Sequence, residues 1–204
     1  MVGASTHGCW LGTYEPEAQA AFARLIREGD VVYDVGANAG FFTLLAAKLA
    51  GERGTVYAFE PFPRNVSHLR RHLQLNGVNA TVLDVALSSK SGTARFASAA
   101  HASMGKLDTA GDLEVHTETV DELVRTGRIL PPSFIKMDVE GAEYDVLRGA
   151  ADTLSRHRPP MLLSTHGSEV HGRCCTFLAE LGYRFETVRD GSVDGQYTVV
   201  ATAS

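Results

Sequence analysis

Two carboxylates and two glycines in the first third of the chain have the spacing of a nucleoside-binding turn. The apolar, β-branched run Val31 to Val35 leads into Asp34-Val35-Gly36-Ala37-Asn38-Ala39-Gly40, and a second apolar run, Thr55 to Phe59, ends on Glu60-Pro61. A side chain at Gly36 or Gly40 would hold a ligand away from the backbone of such a turn. A carboxylate about twenty residues further on, at the end of the next strand, is placed to accept from ribose hydroxyls. The spacing is G-x-N-x-G, not the G-x-G-x-x-G of dinucleotide folds. Asp34, just ahead of the first glycine, would repel a diphosphate but attract the ammonium and sulfonium of S-adenosylmethionine. The turn therefore reads as a site for that methyl donor in preference to NAD. Two simpler roles compete: Asp34 as an N-cap of the following helix, and Glu60 as a solvated acid at a strand end.

A second group, Phe134-Ile135-Lys136-Met137-Asp138-Val139-Glu140-Gly141-Ala142-Glu143, runs from a buried strand into a polar turn and a helix. Alternation puts Lys136 and Asp138 on one face of that strand and Ile135 and Met137 on the other. Glu140 projects from the turn, and Gly141 lets the chain bend. One strand later comes Ser164-Thr165-His166-Gly167. An imidazole titrates near neutral pH, so His166 is the candidate to accept the proton of an acceptor hydroxyl. The candidate catalytic set is His166, Lys136 and Asp138. Most of the acceleration would come from alignment, worth about 7–11 kcal/mol in well-oriented intramolecular reactions. The alternatives are that His166 caps the next helix, that Lys136 only neutralises Asp138 or Glu140, or that Asp138, Glu140 and His166, with His171, gather a divalent metal. No metal is expected, because carboxylates beside a cationic donor need none. His68, His72, His116 and His157 read as helix-face or surface residues.

These groups need a frame that brings strand ends together. Hydrophobic periodicity predicts strands over 31–35, 55–59, 80–87, 93–96, 115–118, 133–138, 160–165, 183–188 and 196–201, with helices over 17–27, 40–50, 62–76, 119–126, 142–150 and 168–181. The alternation implies an α/β fold with a mostly parallel sheet covered by helices on both faces. The connection from Arg189 to Gly195 is too short for a crossover helix, so the last two strands pair as an antiparallel hairpin. The Gly, Ala and Ser-rich stretch from Ala97 to Gly111, carrying His101, Ser103, Met104 and Lys106, is a surface loop or a lid over the acceptor.

With 204 residues, 44% of them hydrophobic, the chain is expected to form a single domain. A net charge of −5 and scattered Lys and Arg give no basic stripe for nucleic acid. No apolar run is long enough to span a membrane, and the first residues lack the blocks of a signal peptide, so a cytoplasmic protein is expected. Cys9 and the adjacent pair Cys174 and Cys175 suit reduced thiols. A homodimer is compatible with the composition.

Taken together, D-V-G-A-N-A-G, F-E-P, T-V-D-E-L from Thr119 to Leu123 and I-K-M-D-V-E-G-A-E resemble the FkbM family of S-adenosylmethionine-dependent methyltransferases, over roughly Tyr14 to Leu163. The resemblance implies a Rossmann-like class I methyltransferase fold with a seven-stranded sheet, and O-methylation of a small-molecule hydroxyl, often on a sugar or another natural product unit. It places Asp34, Gly36, Asn38 and Gly40 around the methionine part of the donor, Glu60 on ribose, and Asp84, Val85 and Ala86 near adenine. Tyr14 and Glu15 would close over the donor as part of an N-terminal segment reaching to about residue 28. Ala37, Thr43, Pro61 and Asp138 complete the donor set. For Glu15, a plain charge at a helix N-terminus is the alternative. Many relatives carry an acid two positions before the histidine; here that place is Ser164. Methylation of nitrogen or of a carboxylate, a donor-binding partner subunit without chemistry of its own, and an NAD-dependent dehydrogenase are the competing functions.

Overall fold

The computed structural model describes residues 14–97, 106–107, 113–192 and 194–203. The elements are α1 (Pro16–Leu25), β1 (Val31–Val35), α2 (Phe41–Ala50), β2 (Thr55–Phe59), α3 (Pro63–Asn76), β3 (Thr81–Leu83), β4 (Ala86–Leu87), β5 (Gly92–Ala97), β6 (Lys106–Leu107), β7 (Leu113–Glu118), α4 (Val120–Arg125), β8 (Phe134–Met137), α5 (Glu143–Arg148), α6 (Ala151–His157), β9 (Met161–His166), α7 (Ser168–Glu180), β10 (Tyr183–Asp190) and β11 (Gln196–Ala203).

Seven strands form the main sheet in the order β10-β11-β9-β8-β1-β2-β3. The pairs β1/β2, β1/β8, β2/β3 and β8/β9 are parallel, while β11 runs antiparallel to both β9 and β10. This is the sheet and closing hairpin expected from the chain. After β1 the sheet grows one way through β2 and β3, then the other way through β8 and β9. The carboxyl ends of β1 and β8 thus flank the switch point, where open α/β sheets take their ligands.

The strands alternate between two cores, as period-two patterning requires. Val32, Phe134 and Leu162 pack with Phe22 of α1 and Phe42 and Ala46 of α2. Tyr33, Ile135 and Leu163 pack with Leu147 of α5, Leu154 of α6 and Leu178 of α7. Burial on both faces explains why β1 and β8 are apolar nearly throughout, and why the polar residues they do carry, Asp34 and Lys136, need a specific account.

Two expectations are corrected. The strand expected over 80–87 is two strands in two sheets: β3 ends the main sheet, and β4 joins a four-stranded sheet ordered β4-β7-β5-β6, which also takes the 113–118 strand. The chain leaves the main sheet at Asp84, whose carboxylate is paired with Arg70 at 2.7 Å. The helix expected over 142–150 ends at Arg148, and a second helix, α6, follows. Gly149 packs so closely that a Cβ there would lie 2.0 Å from the carbonyl oxygen of Ser88. The amides of Asp152 and Thr153 in the first turn of α6 donate to the Asp121 carboxylate at 3.1 and 2.8 Å. Residues 1–13, and the expected lid over 97–111 apart from Ala97 and the short β6 strand, lie outside the described residues. Among the described residues no helix is long and apolar enough to cross a membrane.

Candidate active site

The turn after β1 is held by backbone. The amides of Gly36 and Ala37 both donate to the carbonyl of Phe59 at the end of β2, at 3.0 and 3.1 Å, and the Gly40 amide donates to Ala37 at 2.8 Å. Asn38 adopts φ 49, in the left-handed region. The glycines meet a need within the protein beyond the one expected. A Cβ on Gly36, at φ +78, would meet the carbonyl oxygen of Asp138 at 1.9 Å, and one on Gly40 would meet Leu69 at 2.4 Å. It is close packing against the β8 exit and α3, not room for a ligand alone, that excludes side chains there. His72, read from the sequence as a helix-face residue, is buried, and its Nδ1 lies 2.6 Å from the Ala39 carbonyl. The spacing of Val66, Leu69, His72 and Leu73 marks this face of α3 as buried, though not its partner.

Glu60 is 5% exposed, so it is not a solvated acid. Its Oε2 accepts from the Asn38 amide at 2.8 Å; its Oε1 accepts from the Phe62 amide at 3.0 Å and from Asn65 Nδ2 at 3.3 Å. A carboxylate offers about four lone-pair directions. Three are used by the protein, which leaves one for a hydroxyl. Burial pushes the Glu60 pKa up, against the two amides that stabilise the anion. The Glu60 amide donates to Leu83 at 3.1 Å, bringing the chain just before Asp84, Val85 and Ala86 beside it. Val85 and Ala86 are buried, and Pro61 is half-buried next to Glu60.

Asp34 is fully buried. It is not the helix cap: Gly40 is the N-cap of α2, without a side-chain bond. Asp34 Oδ2 accepts from Thr43 Oγ1 at 2.6 Å, and Oδ1 lies 3.3 Å from Lys136 Nζ. Asp34 and Thr43 thus lie beneath the turn and support it. Lys136 donates to the Gly36 carbonyl at 2.9 Å, and its ammonium sits 5.5 Å from the Phe42 ring. Burial disfavours this cation, but the charges of Asp34, Asp138 and Glu15 outweigh burial and raise its pKa. Its partner is Asp34, where Asp138 or Glu140 was expected. At the edge, Glu15 precedes α1 at φ 46 without a side-chain cap. Burial and the charge of Asp138 raise its pKa, while Tyr14, Lys136 and Arg189 oppose the shift. Tyr14 packs edge-on against Phe41 at 5.4 Å.

The acidic cluster begins where this turn ends. The Asp138 amide donates to the Val35 carbonyl at 3.0 Å, so one stretch of backbone borders both groups. Glu143 has no exposed surface. Its Oε1 accepts from the amides of Gly141 at 3.0 Å and Val139 at 3.3 Å and lies 3.0 Å from His166 Nδ1. His166 Nε2 is 3.4 Å from Glu140 Oε2 and 3.7 Å from Asp138 Oδ1. The capping role for His166 is thereby excluded: the N-cap of α7 is Gly167, with no side-chain bond. Ser164 Oγ is 3.1 Å from Thr198 Oγ1, and the carboxylate partner of His166 is Glu143 instead. His171 stacks on Tyr197 at 4.5 Å and meets Thr165 Oγ1 at 2.9 Å, outside the cluster.

Burial acts to lower the His166 pKa, but the Glu143 hydrogen bond and the charges of Asp138, Glu140 and Glu143 push it up to about 9. The three carboxylates therefore favour the protonated ring, which makes His166 a weaker candidate for the base than its sequence position suggests. A pKa above the ordinary 6.5 means that its contribution to stability is complete below about pH 6.5 and is lost as pH rises through about 9. In chelator-treated buffer, the His166 ring resonances are expected to titrate with a midpoint near 9, and Glu143→Gln to move the midpoint back toward the ordinary value. A wild-type midpoint near 6.5 would contradict this arrangement.

Comparison with known proteins places these features. A profile of the methyltransferase FkbM domain matches residues 34–185. The hexuronic acid methyltransferase AglP of Haloferax volcanii is 35% identical over 129 residues, covering 62% of this chain and 52% of that protein. The 31-O-demethyl-FK506 methyltransferase FkbM of Streptomyces tacrolimicus is 29% identical, covering 62% of each. The chain thus spans between half and two thirds of the length of these relatives. The crystal structure of methyltransferase FkbM from Methylobacillus flagellatus KT superposes with a TM-score of 0.61 at 17% identity, over 90% of this chain and 50% of that one.

Proposed function

Because the chain belongs to the methyltransferase FkbM domain family and carries the class I methyltransferase fold, we propose that it transfers the methyl group of S-adenosylmethionine to a hydroxyl of a small molecule, a sugar or nucleoside unit of a natural product. The observation that carries this reading is the meeting of the two groups at Asp138. The Glu60-held turn and the His166 cluster face the same switch point and share one backbone hydrogen bond, Asp138 to Val35. A donor held by the turn would supply an electrophilic methyl group, transferred to the hydroxyl oxygen as the C–S bond breaks with its electron pair left on sulfur. The carboxylates of the cluster would take up the hydroxyl proton. Glu140 suits this step, since burial weakens its acidity more than His166 restores it. The named substrates of both relatives support a carbohydrate or natural product acceptor.

The test is calorimetric titration with S-adenosylhomocysteine and with NAD, followed by incubation with S-adenosylmethionine and a panel of hexoses, hexuronates and nucleosides. Micromolar binding of the homocysteine, none of NAD, and an alkali-stable methyl ether on one acceptor are expected. An alkali-labile product would mean a methyl ester and would overturn the hydroxyl assignment. Binding of NAD alone would overturn the donor.

A further inference from the structure

We infer that Asp138, Glu140 and His166 form a binding site for one divalent transition-metal ion, with Glu143 as the carboxylate that orients the histidine. The site lies within the reading above but does not depend on donor binding.

The geometry is that of a coordination site more than of an ion pair. One ligand atom from each of the three residues lies within 4.8 Å of the other two. Charge-assisted hydrogen bonds close to about 2.7–2.9 Å. The two contacts of Nε2, at 3.4 Å to Glu140 and 3.7 Å to Asp138, are longer than that. Metal–ligand bonds of about 2.1 Å hold donor atoms roughly 3.0–3.4 Å apart around an octahedral or tetrahedral ion, close to the spacing of Nε2 from the two carboxylates.

Glu143 supplies an independent indication. A histidine that ligates a metal through one nitrogen almost always gives the other N–H to a carboxylate or carbonyl. Here the fully buried Glu143 takes Nδ1 at 3.0 Å. That bond assigns the proton to Nδ1 and turns Nε2, the atom with a free lone pair in the neutral ring, toward the two remaining carboxylates. Glu143 is itself fixed by the amides of Val139 and Gly141, which belong to the turn that carries Asp138 and Glu140. The orienting carboxylate is therefore fixed by the same turn that carries two of the three ligands. Asp138 Oδ1, the atom nearest Nε2 on that residue, is buried and makes no hydrogen bond. An acceptor so placed is costly unless something electropositive meets it.

One imidazole and two carboxylates suit Mn²⁺, Fe²⁺ or Zn²⁺ better than Mg²⁺ or Ca²⁺, which favour all-oxygen sets. Three protein ligands leave coordination positions open. An acceptor hydroxyl taking one of them would be acidified by the ion. With Glu140 engaged by the ion, the proton would pass to water in place of that carboxylate, and the transfer would need no strong protein base. A hydroxyl with a second oxygen on the neighbouring carbon, as in sugars and hydroxy acids, would chelate the ion.

The experiment uses tag-free protein stripped with chelator. Titration with MnCl₂ is followed by loss of the free-ion electron paramagnetic resonance signal, and S-adenosylhomocysteine binding is measured on the same samples with and without chelator. One bound Mn²⁺ per chain is expected, displaced by Zn²⁺. Glu140→Gln is expected to abolish it, and Glu143→Gln to weaken it about 10–100-fold, with homocysteine affinity in both variants within about threefold of wild type. That affinity also reports that the variants are folded. No saturable Mn²⁺ binding, or binding unchanged in Glu140→Gln, overturns the site, and the donor reading stands if homocysteine still binds. Mn²⁺ binding without homocysteine binding leaves the metal site in place and removes the donor reading.

Discussion

Gly36→Ala is expected to weaken S-adenosylhomocysteine binding by about a hundredfold or more and to lower the melting temperature by about 5–15 °C. The new methyl group would stand 1.9 Å from the Asp138 carbonyl oxygen, backbone that cannot turn aside, and 3.2 Å from Val139 Cγ1. Overpacking costs about 1–3 kcal/mol and the left-handed conformation about 1–2 kcal/mol more, and each kilocalorie is worth about 2–4 °C in a chain of this length. Relief comes only by parting the β1 exit from the β8 exit, which displaces the turn that must meet the donor. Misplacement by about 1 Å is enough for a hundredfold loss at a positioned site. Gly149→Ala serves as the comparison. Its Cβ would also strike backbone, at 2.0 Å from Ser88, but outside the site. It is expected to lose similar thermal stability while the surviving folded protein keeps its homocysteine affinity. Calorimetry and a thermal melt on both variants decide the matter; equal losses of affinity would show that Gly36 acts only through the fold.

Glu60 gives the second large effect, and the comparison between two substitutions carries the information. Glu60→Ala leaves the amides of Asn38 and Phe62 without their acceptor, at about 1–3 kcal/mol for each buried donor, and removes the remaining lone pair that would take a ribose hydroxyl. A fall in homocysteine affinity of about a hundredfold or more is expected. Glu60→Gln should be nearly as damaging, since an amide NH₂ must then face one of the N–H groups the carboxylate accepts from. A solvated acid at a strand end would tolerate glutamine with little change. Titration of both variants distinguishes the two: near wild-type affinity in Glu60→Gln would mean that Glu60 does not hold the turn.

The parts of this site that were legible in the sequence are those made by neighbours along the chain. Val31 to Val35 and Thr55 to Phe59 announce buried strands, Gly36 and Gly40 announce a turn, and the short Arg189 to Gly195 connection requires the closing hairpin. What escaped is made across the fold. Glu143 looks like an ordinary acid in the first turn of a helix, but its oxygen joins His166, 23 residues away, to the turn behind Asp138. His72 lies on the buried stripe of α3 with Val66, Leu69 and Leu73, so the periodicity marks its burial, but its contact with Ala39 is made across the fold. The break at Gly149 depends on Ser88 and Asp121, both distant in sequence. Gly36, Gly40 and Asp34 stood out by their spacing, but the contacts that hold them are made within the protein: the glycines accommodate backbone and side chain, and Asp34 pairs with Lys136 beneath the turn.

The left-handed backbone of Asn38 is secured by a bond within the protein, from its amide to Glu60. A loop that took this shape only on contact would subtract the free energy of reorganising from donor affinity. Here that cost, on the order of 1–3 kcal/mol for a residue in a sparsely populated region, falls on folding. The site is preorganised, and the chain is correspondingly less stable than the same sheet would be with a relaxed turn in this place.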